Sequence, residues 1–118
     1  MQISQAIKAF SQSEKLKSGL IWATQIIEVS IALAESEKPG AEKTLKALIS
    51  MIGNEINIAK KAAPHDIWLD AEKDVDTAMV MLNSGVAHES VYHLTRALSK
   101  VTTIGQQSMT LLVNEGLL

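Results

Sequence analysis

The chain contains no cysteine, which removes thiolate metal sites, thiol nucleophiles and disulfides from consideration. Only two of its 118 residues are proline and six are glycine, too few for a collagen-like or low-complexity segment. Aromatic residues are as sparse, with two Trp, one Tyr and one Phe. Arginine occurs once, at Arg96. Eleven Lys plus Arg stand against thirteen Asp plus Glu. That balance leaves no basic footprint for a phosphate backbone, and nucleic acid is not an expected partner. Long hydrophobic runs are missing as well. The most apolar stretch, Gly19 to Ala34, is interrupted by Thr24, Gln25, Glu28 and Ser30, whereas a spanning helix needs ~20 nearly continuous apolar residues. Met1 to Phe10 carries no basic patch followed by an apolar core, because Gln2, Ser4, Gln5 and Lys8 break each short apolar run. The expectation is a cytoplasmic protein with no membrane contact.

What is present is helical periodicity in a chain of single-domain length. Nearly half of the residues, 47%, are hydrophobic, enough to build a core without staples. Leu16, Leu20, Ala23, Ile27, Ile31 and Ala34 recur at spacings of three and four after Ser13, a residue suited to capping. The run stops before Pro39-Gly40. Leu45, Leu48, Ile49, Ile52, Ile56 and Ala59 repeat the pattern as far as Ala63-Pro64. A third helix is expected from Asp66, with Trp68, Ala71 or Val75, Ala78, Met79 and Leu82 on its buried stripe, ending at Asn83-Ser84-Gly85. A fourth runs from about Ala87 to Asn114 through Val91, Leu94, Leu98, Val101 and Leu112. At 1.5 Å per residue these four helices span roughly 36, 33, 27 and 42 Å. Lengths this similar, joined by short loops, predict an all-α, antiparallel up-down-up-down four-helix bundle of one domain. Ile3, Ala6, Ile7 and Phe10 share a face, so residues 1–10 read as a short amphipathic arm or as an extension of helix one.

Helix one is richer in apolar residues than a single buried face requires. A bundle helix needs about three apolar positions in seven, yet eleven of the fifteen residues from Leu20 to Ala34 are apolar. Trp22, Ile26, Val29 and Leu33 form a second row beside the first. Either both rows fill one wide core stripe, or the second row is covered by another protein surface, most simply a second copy in a two-fold dimer. Met51, Met79, Met81 and Met109 would add adaptable packing wherever they are exposed. Gly19, Gly53 and Gly105 fall inside helices, where each costs up to ~1 kcal/mol relative to alanine. Close helix approach offsets such a cost; at Gly105 a kink in the long fourth helix is the rival explanation.

Candidate chemistry is thin. Asp70, Glu72, Asp74 and Asp76 begin like a calcium loop, but Val75 holds the turn position that requires glycine and Met81 the position of the closing acid. On a helix these carboxylates face water near a favourable dipole. A metal-binding alternative would use His65, Asp66, Asp70, Glu89 and His93, residues whose ordinary role is solvated helix ends and acidic faces. Glu28 and Glu55, acids within apolar helices, are expected on exposed sides. The segment His93-Leu94-Thr95-Arg96-Ala97 resembles the histidine phosphotransfer family, in which an exposed helical histidine precedes a lysine by three residues and then a glycine. That resemblance implies phosphorylation of His93, with Arg96 in place of the lysine and Ala97 in place of the glycine. No Gly-x-Ser-x-Gly, phosphate loop or histidine beside a serine nucleophile occurs. The reading is therefore a small interaction protein with an adaptor, chaperone-like or structural role and no cofactor. Its partners would be a second copy or an amphipathic helix of another protein.

Overall fold

The computed structural model describes residues 1–118. It contains four helices and no strand: α1 (Ile3–Ile31), α2 (Lys38–Ala62), α3 (Asp66–Asn83) and α4 (Ala87–Asn114). The molecule measures 54 × 21 × 18 Å. α1 packs on α2 and α4, and α3 packs on the same two, while the diagonal pairs do not meet. This neighbour pattern is consistent with a four-helix bundle. Gln5 Nε2 donates to the Pro64 carbonyl at 2.8 Å, and Lys15 pairs with Glu55 at 3.0 Å, tying α1 to α2 and to the turn beyond it. Lys60 pairs with Glu72 at 2.8 Å between α2 and α3. The Ser90 hydroxyl donates to the Ala78 carbonyl at 2.9 Å between α4 and α3.

The periodic apolar residues build the core. Leu16, Leu20, Ala23 and Ile27 of α1 meet Leu45, Ile49, Ile52 and Ile56 of α2, with Trp68, Val75 and Leu82 of α3 and Leu94, Val101 and Ile104 of α4 in the same cluster. Trp68 is wholly enclosed, and its indole N–H donates to the Ala63 carbonyl at 2.9 Å. That bond serves a carbonyl at the end of α2 that no helical donor reaches. Burial of the ring and satisfaction of the helix end thus depend on one side chain.

Several boundaries differ from the sequence expectation, each for a physical reason. α1 starts at Ile3 rather than after Ser13, so of the two readings of residues 1–10 the helix extension is the one observed, and they form no separate arm. Ala6 and Ala9 continue the buried stripe at helical spacing, while Ile3 and Ile7 face solvent. Ser13 is therefore no cap; it lies inside the helix, buried, with its hydroxyl donating to the Phe10 carbonyl at 2.8 Å. α1 closes at Ile31, where the Ala32 and Leu33 N–H groups donate to the Val29 and Ser30 carbonyls in a tightened last turn. Ile31 and Ala34, expected on the stripe, are exposed, and Ser30 takes the buried place. α2 begins before Pro39 because proline's fixed φ and missing N–H suit a helix's first turn. His65, not Asp66, caps α3, its Nδ1 accepting the Ile67 N–H at 3.2 Å. α4 ends as its sequence predicts, with Gly116 at a φ of +74°.

Candidate functional site

On α1 the buried stripe leaves Trp22, Ile26 and Val29 outside. They succeed one another at intervals of four and three along one line of the helix, and their relative exposures are 62%, 44% and 65%. The intervals match the turn of an α-helix, so the three side chains stand above one another on a single face. Leu33, the fourth member of the expected row, is not on that line. It lies past the end of α1, half-buried, because the helix closes two residues before it. The second row of helix one is thus three residues long, and the chain's own core does not cover it.

α2 supplies a second wall that the sequence reading did not assign. Met51, 62% exposed, and the half-buried Leu48 stand beside Trp22, and with Leu16, Gly19 and Ile52 they line a cleft of about 220 Å³. The ion pair of Lys15 with Glu55 also lines it. An added Cβ at Gly19 would meet Ile52 at 3.7 Å, an ordinary contact. Glu55 is half-buried rather than on an open side: one oxygen pairs with Lys15, and the other is enclosed with no hydrogen-bond partner, as is Gln12 Oε1. The signal for this wall was in the sequence, since Leu48, Met51, Glu55 and Ile58 share the spacing of one α2 face.

The acidic run on α3 divides in two. Asp70 and Asp76 face solvent, but Asp74 is buried against α4, where Lys100 donates to one oxygen and Arg96 Nε lies 3.5 Å from the other. The expectation of four solvated carboxylates therefore fails at Asp74, which sits on the side of α3 turned to two cations, and in part at Glu72, which is half-buried and paired with Lys60. The Arg96 guanidinium also covers the Tyr92 ring at 5.8 Å. Its pKa is raised above the ordinary arginine value, first by the Tyr92 hydroxyl and then by the Asp74 charge.

The remaining candidates do not converge. His65 is committed to capping α3, with Asp66 next to it and Asp70 one turn on, whereas Glu89 and His93 stand in the first turns of α4. No three His, Asp or Glu side chains gather in a way that could hold a metal ion. His93 meets the edge of the Tyr92 ring at 5.1 Å. Arg96, the cation that a phosphorylated imidazole would need, is instead engaged by Asp74 and Tyr92. No helix is long and apolar enough to cross a membrane. Comparison with protein-family models, curated proteins and solved structures finds no match to this chain.

Proposed function

We propose that the chain is a non-enzymatic protein-interaction module that self-associates through the apolar surface of α1, in an adaptor, chaperone-like or structural role. The joint exposure of Trp22, Ile26 and Val29 on one helix line carries this reading. Single exposed apolar residues are normal on a soluble protein and need no explanation. Three in a row beside an apolar cleft make a contiguous patch, and covering it is favourable by roughly 25 cal/mol per Å² removed from water. A tryptophan in such a patch fits a binding hot spot.

Sedimentation of the wild type and of Val29→Glu at micromolar concentration tests the proposal. The charge is expected to leave the fold intact, because Val29 is exposed, and to shift the mass toward the 12.8 kDa monomer. An unchanged mass and solubility would count against an α1 interface.

A further inference from the structure

The line through Trp22 and Val29 continues toward the start of α1. Lys8, Lys15, Trp22 and Val29 follow at intervals of seven, and all four are exposed. A seven-residue interval with Ile26 set between the last two is the spacing of a helix seam that packs on a second helix. The seam is polarised. Its early half carries Lys8 and Lys15, its later half is apolar, and just beyond the helix end stand the exposed Glu35 and Glu37.

From this polarity we infer that the occupant of the face is a second copy of the chain, docked with its α1 antiparallel to the first about a two-fold axis near Gln25 and Ile26. The inference rests on the self-association proposed above and adds the direction and centre of the contact. With the axis there, Trp22 of each copy stands opposite Val29 of the other, and Lys15 opposite the Glu35–Glu37 turn. Lys15 is bridged to Glu55 and Glu35 to Lys38, but their side chains remain 63% and 90% exposed, so both can face a partner. A parallel pairing would instead set Lys8 on Lys8, Lys15 on Lys15 and Glu35 on Glu35. Charges at such a rim contribute little affinity, but like-charge contacts reject the wrong register.

Size agrees with this occupant. The exposed parts of Trp22, Ile26, Val29 and Met51 amount to roughly 500 Å² per copy. Two copies together reach about 1,000 Å², the lower bound of a specific interface before the polar rim is added. The cleft beside Trp22, at about 220 Å³, is smaller than the roughly 300 to 1,000 Å³ of small-molecule pockets. It has room for a partner's side chain.

The absence of cysteine allows a direct test. Ser18 and Gln25 lie seven residues apart beside the seam, and neither belongs to its apolar part. Gln25→Cys is expected to cross-link to itself rapidly under mild oxidation. Ser18→Cys is expected not to, because its counterpart would be about 22 Å away along the helix, far beyond the roughly 7 Å limit for a disulfide. Self-linking at both positions would mean a parallel pair, and linking at neither, or at Ser18 alone, would mean another surface; each overturns the inference. A charge reversal supplies a second readout: Lys15→Glu weakens association several-fold, and adding Glu35→Lys restores it. Failure of that rescue contradicts the antiparallel register. Sedimentation separates the two levels, since a monomeric wild type removes self-association itself, whereas a dimer with the wrong cross-links removes only this geometry.

Discussion

A methyl group placed on Gly105 would stand 2.8 Å from the Ser13 hydroxyl, the tightest approach at any glycine in the chain. α1 and α4 meet here with a buried serine against a bare backbone. Because Ser13 Oγ is already bonded to the Phe10 carbonyl, it cannot swing aside freely. Gly105→Ala therefore loses more to overpacking than it gains in helix propensity, for a net destabilisation of about 1 to 2 kcal/mol in urea unfolding. Adding Ser13→Ala removes the clashing oxygen and recovers most of that loss.

Gly53 should respond in the opposite sense. Nothing lies within 4 Å of the place its Cβ would occupy. Gly53→Ala is expected to raise stability by up to ~1 kcal/mol through propensity alone, read as a higher urea midpoint with an unchanged slope. A loss of stability would show that this face of α2 packs against something.

Of the α3 carboxylates, Asp74 alone is buried between cations. Asp74→Ala leaves Lys100 without its partner at a half-buried site, a cost of about 1 to 3 kcal/mol. Asp70→Ala and Asp76→Ala, both at exposed positions, should stay within about 0.5 kcal/mol. Equal effects at all three would mean that the Asp74 pairing does not form in solution.

The two tryptophans offer separate optical reports. Trp68 is enclosed and Trp22 is 62% exposed. In dilute protein, Trp68→Phe leaves only the solvated Trp22, with red-shifted emission open to iodide quenching. Trp22→Phe leaves a shielded, blue emitter. The Trp68→Phe variant also loses the indole bond to Ala63 and some core volume, costing about 1 to 3 kcal/mol, so its spectrum belongs well below its melting temperature.

Most of this architecture could be read from apolar spacing, because burial of a stripe at intervals of three and four decides where a helix lies and which face it buries. α3 and α4 came out within a residue of their expected limits, since Asn83-Ser84-Gly85 and Gly116 are unambiguous stops. At the start of α1 the sequence leaves an arm and a helix extension both open, because a capping residue, Ser13, stands in the middle of a stripe whose earlier members are only alanines; the structure has the extension. Tertiary packing on α4 outweighed local capping there. Leu33 leaves its row because the spacing continues past Ile31 but the helix does not. The pairing of Asp74 with Lys100 and Arg96 spans more than twenty residues of sequence, and no local pattern distinguishes it from the solvated Asp70 and Asp76. Met51 and Leu48 were visible as periodic residues, but their place beside Trp22 follows only once α1 and α2 are packed.

Whether a second copy covers the α1 face is read by sedimentation equilibrium of the unaltered chain from low micromolar to several hundred micromolar. The predicted result is a mass that climbs with concentration from the 12.8 kDa of one chain toward twice that value. A mass that stays at 12.8 kDa throughout, with Trp22 emission unchanged, would contradict it.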